Sequence, residues 1–254
     1  MSTISHFSQS LQESFHDRSL LKVISGLTNF DALSVKKIAI SAALGGADLL
    51  DIACDPELVH LIRQHTDCPI CVSSIEPELF LGAVEAGASV VEIGNFDSFY
   101  AQGRVFTAAE VIDMTKRAKS LVPTTPLSVT VPHILPLDEQ SSLAVDLINA
   151  GADIIQTEGG KSATPTSSGV LGLIQKAAPT LAAVHAISQS FKQADLRAPI
   201  LCASGLSSVT APMAIAAGAS GIGVGSIVNR LDNELAMVAE VKTIKESLGS
   251  KIRV

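Results

Sequence analysis

One phrase recurs four times along the chain and constrains the fold more than any other feature. Each copy resembles the end of a helix, followed by a turn of small residues and a short strand. The copies are residues 45–53, 86–94, 150–160 and 217–225. A repeat of this kind indicates strands that alternate with helices.

Further strands fall between the four copies, so the sequence predicts eight strands alternating with helices in one chain. The predicted strands cover residues 22–27, 47–53, 69–75, 89–95, 126–132, 153–158, 199–204 and 221–225. This order predicts an α/β protein with a (β/α)8 TIM barrel as a single domain over residues 1–254. An open doubly wound sheet is the alternative. It explains less well why the copies fall on alternate strands.

The N-terminal residues 1–20 are predicted to form a short helix that covers one end of the core. Ile4, Phe7, Leu11 and Phe15 recur there at helical spacing. This region has no apolar run of the kind that a signal peptide needs, so we expect a cytoplasmic or stromal protein.

Composition and charge argue against several classes of partner. The 254 residues carry a formal net charge of −7, so neither nucleic acid nor an anionic membrane surface is an expected partner. Residues 198–229 contain no charged side chain, but their glycine, alanine, serine and two prolines favour a buried strand–helix–strand unit over a membrane span. Cys68 and Cys71 have the spacing of a redox pair. They enter a strand rather than a helix, so we expect core residues instead.

The alternation of side chains along the repeated strands predicts an acidic barrel interior. Asp51, Glu92 and Gln156 would share one layer with Gly223, and Glu158 would stand in the next layer. Barrel interiors are usually filled with Val, Ile and Leu. Acidic side chains next to glycines, which leave space, therefore predict a functional site in the barrel interior. A structural hydrogen-bond network is the alternative.

The odd-numbered strands add polar side chains to this interior. On the fifth strand Ser128 and Thr130 are predicted to face inward, with His133 at the strand's mouth. On the seventh strand the same alternation predicts that Cys202 and Ser204 face inward.

The orientation of Lys22 stays open at this stage. If Lys22 faces inward, it offers an amine for Schiff-base or cationic chemistry among the carboxylates. Residues 24–27 echo residues 203–206, however, and that alignment places Ser25 inside and Lys22 outside. Lys161, in the loop after the sixth strand, could also reach an anionic substrate or could simply be solvated.

Glycine- and serine-rich turns follow the seventh and eighth strands. In TIM barrels these two loops often bind phosphate through backbone N–H groups. Tight packing between helix and strand is the alternative explanation. The candidate binding residues are Ser204, Gly205, Ser207, Gly225 and Ser226.

Much of the scarce aromatic content lies after the fourth strand, in residues 95–106. Phe96, Phe99, Tyr100 and Phe106 are found there together with Arg104. The segment predicts either a lid or substrate wall, with Arg104 for an anion, or the interface of a homo-oligomer.

Four phrases, at residues 94–97, 129–133, 156–160 and 201–207, resemble those of the "hypothetical chloroplast reading frame twenty-three" family of plastids and cyanobacteria. The resemblance covers nearly the whole chain. It implies a barrel in a cyanobacterial cytoplasm or plastid stroma, and it implies no particular activity. The chain is more loosely similar to ribulose-phosphate-binding barrels. The second strand also resembles that of furan-phosphate synthases, which form a Schiff base from a lysine at the position where this sequence has Ala53.

These observations favour an enzyme, a lyase, isomerase or epimerase, acting on a small phosphorylated molecule. Proton transfer is assigned to Asp51, Glu92 and Glu158, substrate orientation to Gln156 and His133, and amine chemistry to an inward Lys22. We assign no metal ligands. A flavin mononucleotide (FMN) oxidoreductase using the same phosphate loops is a second interpretation. A non-catalytic barrel that senses a phosphometabolite or binds a partner is a third.

Overall fold

Eight parallel strands close into a barrel in the computed structural model, which describes residues 6–159 and 163–249. Each strand pairs with the next, and the eighth pairs with the first. The predicted TIM barrel is therefore confirmed, and the open sheet is excluded. The strands are β1 Leu20–Ile24, β2 Leu49–Ala53, β3 Ile70–Ser74, β4 Val90–Ile93, β5 Leu127–Thr130, β6 Ile154–Gln156, β7 Ile200–Ala203 and β8 Gly221–Val224.

Helices separate the strands and pack around the barrel. A 3-10 turn, Pro77–Leu79, precedes one of them. The helices are α1 Gln9–His16, α2 Ala32–Leu44, α3 Pro56–Arg63, α4 Phe80–Glu85, α5 Asp97–Tyr100, α6 Ala108–Leu121, α7 Leu137–Asn149, α8 Gly169–Gln193, α9 Ala211–Ala217, α10 Ser226–Asn229 and α11 Glu234–Gly249.

Several helices begin where the sequence supplies a capping side chain. The Asp31 carboxylate accepts hydrogen bonds from the first backbone N–H groups of α2. Asp55 does the same for α3, which has Pro56 at its first position, and Thr107 caps α6. These caps fix where the loops at the carboxyl ends of the strands finish.

Helix α8 has 25 residues and is apolar enough, by length and composition alone, to span a membrane. In the structure its Ala183, Val184, Ile187 and Phe191 are buried against the rest of the barrel. The helix thus contributes an apolar face to the core of this fold.

Helix α1 closes the lower end of the barrel, where the strands begin. Its Leu11 and Phe15 side chains, together with Phe7 just before the helix, form a buried cluster with apolar residues that point inward from the strands. The described part of the N-terminal segment thus packs against one end of the core, and Ile4 lies outside the described residues. The strand residues of the cluster are Leu20, Leu49, Cys71, Val90, Ile154 and Leu201.

The orientation predicted for β7 is wrong. Leu201 lies in the inward-facing apolar cluster, whereas Cys202 lies outward, 3.5 Å from the hydroxyl of Thr180 in α8. Residues 200–203 are all apolar, so the alternation that would reveal the orientation is missing. Ser204 follows with a left-handed φ of 76°, which ends the regular alternation of the strand.

Candidate functional site

A buried ionic layer crosses the barrel above the apolar floor, and Lys22 is its centre. The Lys22 Nζ atom lies 2.8 Å from Asp51 Oδ2 and 2.6 Å from Glu92 Oε2, and it donates to Gln156 Oε1 at 3.0 Å. The four side chains are 0–1% exposed. Lys22 therefore faces inward, and the alignment that placed it outside is wrong.

Further hydrogen bonds complete this layer. The hydroxyl of Ser73 donates to Asp51 Oδ1 at 2.6 Å, and that of Ser128 donates to Glu92 Oε2 at 2.7 Å. The amide of Gln156 donates to Glu92 Oε1 at 2.7 Å. The layer is thus a connected network in which both acids are held by several donors.

Lys22 is held as an ammonium ion by its neighbours. Burial alone would lower the pKa of Lys22, but the charges of Asp51 and Glu92 outweigh it and raise the pKa above its ordinary value. A Schiff base requires the neutral amine. The structure gives Lys22 a structural role in this layer and does not support Schiff-base chemistry there.

The glycines that were expected to leave room in the interior are surrounded by packed atoms. A Cβ on Gly223 would lie 3.0 Å from Ala203 Cβ and 3.0 Å from Ile24 Cδ1, and one on Gly94 would collide with the side chain of Thr130. The interior at this level is therefore filled. The arrangement therefore matches the alternative of a structural hydrogen-bond network formed by Asp51, Glu92, Gln156 and Lys22. These four residues are buried and do not line the cavity at the barrel mouth.

A second polar cluster lies at the mouth of the barrel, around Glu158. The Glu158 Oε1 atom accepts the hydroxyl of Tyr100 at 2.6 Å and the backbone N–H of His133 at 3.2 Å, and it lies 3.1 Å from His133 Nδ1. The carboxylate of Asp97 approaches the same imidazole, with Oδ1 3.3 Å from Nδ1. We call Asp97, Tyr100, His133 and Glu158 the mouth cluster.

Three loops bring the mouth cluster together. Glu158 lies two residues after β6, and His133 lies three residues after β5. Asp97 and Tyr100 stand three residues apart on the single turn of α5, so their side chains lie on one face. The backbone N–H of Asp97 also donates to Glu158 Oε2 at 3.3 Å.

The two carboxylates change the protonation of His133. Burial alone would lower the pKa of His133, but the hydrogen bond to Glu158 and the charges of Glu158 and Asp97 raise the pKa above 6.5. The two carboxylates therefore favour the protonated form of the imidazole.

A cavity of about 450 Å³ opens beside this cluster. Asn95, Asp97 and Glu158 line one part of it. The loops after β7 and β8 line another part through Ser204, Gly205, Gly225 and Ser226, together with two basic side chains, Lys176 and Arg230.

Four of the five residues predicted for phosphate binding line this cavity, and Ser207 does not. The backbone N–H of Ser207 donates to the hydroxyl of Thr210 at 2.9 Å, which stabilises the start of α9. Within the described residues, no group accepts a hydrogen bond from the N–H of Gly205, whose φ is 76°. The guanidinium of Arg230 is anchored through Nε to the Ser226 carbonyl at 2.8 Å.

The aromatic segment at residues 95–106 forms part of the barrel wall. Phe96 and Phe106 are fully buried, with ring centroids 4.4 Å apart. Arg104 lies over the ring of Phe106 and pairs with Glu110, and it does not line the cavity. The predicted role of Arg104 in binding an anion is therefore not supported.

Sequence reasoning did not single out Asp97, Lys176 or Arg230, and it named Tyr100 only as one of the aromatic residues after the fourth strand. Two of these had a usable signal, since Asp97 and Tyr100 have the spacing of neighbours on one helical turn. Arg230, four residues after Ser226, is the C-cap of a second short helix, α10. Lys161, considered for an anionic substrate, lies outside the described residues.

A protein-family model described as "Protein of unknown function (DUF561)" matches residues 7–254. The chain belongs to this family. Similar curated proteins are both named "Uncharacterized protein ycf23". The one from Cyanophora paradoxa is 43% identical over 222 residues, covering 87% of this chain and 89% of that protein. The one from Pyropia yezoensis is 39% identical over 241 residues, covering 95% of this chain and 86% of that protein. The resemblance seen in the sequence is confirmed, and these organisms are consistent with a plastid origin.

Solved structures similar to this chain share its fold at low sequence identity. Thiamine phosphate pyrophosphorylase from Pyrococcus furiosus aligns with a TM-score of 0.58 and 20% identity, covering 92% of this chain and 98% of that one. 3-Hexulose-6-phosphate synthase aligns with a TM-score of 0.61 and 16% identity, covering 90% and 99%. (S)-3-O-geranylgeranylglyceryl phosphate synthase from Thermoplasma acidophilum, solved with sn-glycerol-1-phosphate, aligns with a TM-score of 0.59 and 16% identity, covering 94% and 96%.

Proposed function

We propose that the mouth cavity binds a small phosphorylated metabolite and that Glu158 and His133 transfer a proton on it. One observation carries this proposal. Asp97 and Glu158 of the mouth cluster line the same cavity as the loops after β7 and β8. A small ligand held at these loops would therefore be within reach of Glu158, with His133 hydrogen-bonded behind it.

The phosphate would bind at the loops after β7 and β8. Backbone N–H groups at Gly205 and at the first turn of α10 offer donors to an anion, and glycine allows the phosphate to approach the backbone closely. Arg230 supplies a positive charge at the same edge of the cavity. The names of three similar solved structures also include a phosphorylated compound. Their likeness in fold favours a phosphorylated ligand for this chain without establishing it.

The acid–base chemistry would depend on Glu158, which lines the cavity, and on His133 behind it. The two side chains already share a hydrogen bond, and Asp97 and Tyr100 hold them in place. Such a pair can remove a proton from a carbon next to a carbonyl group and return it. Lyases, isomerases and epimerases that act on sugar phosphates share this step.

Hydrogen–deuterium exchange at carbon tests the chemistry. The protein would be incubated with a panel of sugar phosphates in D2O, and the loss of carbon-bound hydrogen would be followed by proton NMR. We expect exchange with one member of the panel, and we expect Glu158→Gln to reduce its rate at least about 100-fold, because general acid–base catalysis contributes that much or more.

Binding must be measured beside the exchange. Arg230→Ala should weaken binding of the active sugar phosphate about tenfold or more, whereas Arg117→Ala, which removes an exposed arginine paired with Glu78, should leave it unchanged. Binding of the panel without carbon exchange, at the same affinity in the Glu158→Gln variant, would show a sensor and would overturn the catalytic part of the proposal.

A further inference from the structure

We infer that two copies of this chain form a homodimer through the outer surface of α8 and α9. These two helices are neighbours on the outside of the barrel and pack against each other. We call their solvent-facing side the uncharged face. The inference stands apart from the proposed function, because it concerns the outside of the barrel and not its mouth.

The uncharged face differs from the other long helices in its charge. Helix α8 has 25 residues, of which Lys176 and Lys192 are formally charged, and the seven residues of α9 carry no charge. Helix α6 carries five charged side chains in 14 residues, and α11 carries five in 16. Lys176 reaches toward the cavity and donates from Nζ to the Ala163 carbonyl at 2.8 Å, and Lys192 lies in the last turn. The middle of the face therefore has no charge.

Apolar side chains are exposed along the same face. Leu171 is 56% exposed, and the exposed Ala178 and Ala182 follow it by seven and eleven residues on α8. This spacing places the three side chains on one side of the helix. The opposite side packs Val184 and Ile187 into the barrel core. Few charges together with exposed apolar side chains are the composition of the centre of a protein interface.

A second copy of the chain fits this face better than a charged partner or a membrane. Each chain has a formal net charge of −7, so two copies repel each other where their charged helices meet. In a two-fold dimer the same patch faces itself, and an uncharged patch then places no like charges opposite each other. Helices that bind membrane surfaces are instead rich in lysine and arginine on their polar side.

The uncharged face is large enough for a stable dimer. The 25 residues of α8 extend over about 37 Å at the helical rise per residue. Together α8 and α9 present 20 uncharged residues that are wholly or partly exposed. A standard protein interface takes about 20–30 residues from each partner. The two helices alone therefore reach the lower end of this range.

Sedimentation equilibrium of the full chain would measure the association. We expect the native chain at micromolar concentration to have twice the mass of one chain. Ala178→Glu combined with Ala182→Glu places two negative charges from each copy in the interface, so we expect the dissociation constant of the dimer to rise at least about 100-fold. Leu171→Lys introduces the opposite sign of charge and should raise it at least about tenfold.

Ala236→Glu combined with Ala239→Glu is the matched control. It adds the same two charges at exposed positions of the charged helix α11 and should leave the dissociation constant unchanged. Circular dichroism would show that each variant is folded, and Leu171→Lys decides the result if the variant with both α8 glutamates does not fold.

Three results would overturn the inference. A native chain that stays monomeric up to about 100 μM would exclude a dimer of ordinary affinity. A dimer that survives Ala178→Glu with Ala182→Glu and also Leu171→Lys would have its interface elsewhere, for example at residues 95–106. A monomer that sediments with vesicles of neutral phosphatidylcholine, and loses this binding in the same variants, would show that the face binds a membrane.

Discussion

Two polar clusters in this barrel have nearly the same composition and opposite surroundings. The ionic layer contains Lys22 with Asp51 and Glu92, and the mouth cluster contains His133 with Asp97 and Glu158. The side chains of the ionic layer are buried, and Lys22 forms ion pairs with both of its acids. Glu158 and Asp97 instead line a cavity.

The comparison shows that one base and two acids inside a barrel do not identify an active site. A fixed ammonium ion saturates both acids of the ionic layer, so that layer holds strands together. The mouth cluster instead contains a histidine, the side chain that most often transfers protons, and its two acids raise the pKa of that histidine. Solvent access and the nature of the cation separate the two roles.

The largest effect should come from breaking the ionic layer with Lys22→Met. This change leaves Asp51 and Glu92 buried without their cation, which we expect to lower the free energy of unfolding by about 3–5 kcal/mol. Urea denaturation would measure it, with Lys116→Met at an exposed position as the control. Adding Glu92→Gln to Lys22→Met should recover part of the loss, since one uncompensated charge is removed. A Lys22→Met protein of unchanged stability would contradict the structural role.

A smaller effect should come from overpacking the same level with Gly223→Ala. The new Cβ would lie 3.0 Å from Ala203 Cβ, closer than ordinary contact, so we expect a loss of about 1–3 kcal/mol. Thermal or urea unfolding would measure it. Ala203→Gly in the same chain removes that contact and should restore part of the stability. If Gly223→Ala costs nothing, the interior is less tightly filled than the structure shows.

The same substitution in both clusters compares them directly. Glu158→Gln keeps an oxygen for the Tyr100 hydroxyl and should cost about 1 kcal/mol of stability. Glu92→Gln removes a charge that Lys22 needs and should cost about 3 kcal/mol or more. Denaturation of the two variants under one condition would measure the difference. Equal losses would show that the two clusters do not differ in the way described.

The smallest effect should be a pH dependence that belongs to the mouth cluster. The pKa of His133 is raised in the folded protein by Glu158 and Asp97, although burial alone would lower it. The protonated form therefore stabilises the fold fully below pH 6.5, and this stabilisation is lost as the pH rises through the folded pKa. Urea denaturation between pH 6 and 9 should show the decline in the native chain and a flatter profile in His133→Asn. Profiles of identical slope would rule out this linkage.

The sequence predicted the fold well because the barrel repeats itself. Residues 45–53 and 150–158 use the same small-residue turn and the same alternation on their strands, so the repeating strand–helix unit could be recognised from the sequence. On β7 this failed, since Leu201, Cys202 and Ala203 are all apolar and alternation carries no information. Lys22 was ambiguous for a related reason, because its strand is otherwise apolar.

The site was harder to predict because proximity across strands is invisible in a single sequence. Glu158 and His133 were chosen from their positions at strand ends, and the structure brings them into contact. Asp97 and Tyr100 belong to a loop in which the aromatic residues drew attention, and their pairing with Glu158 depends on the fold of α5. The glycines of the interior were ambiguous too, since Gly223 indicates either open space or a close neighbour.

Within the described residues, the apolar floor made by Phe7, Leu11 and Phe15 covers the barrel end that lies away from the mouth. On the mouth side of the ionic layer, the amide of Asn95 donates a hydrogen bond to Glu92. The ammonium protons of Lys22 should therefore exchange with bulk solvent slowly and in step with the opening of the mouth. The rate at which the protons on this nitrogen exchange with solvent would measure how often the mouth of the barrel opens.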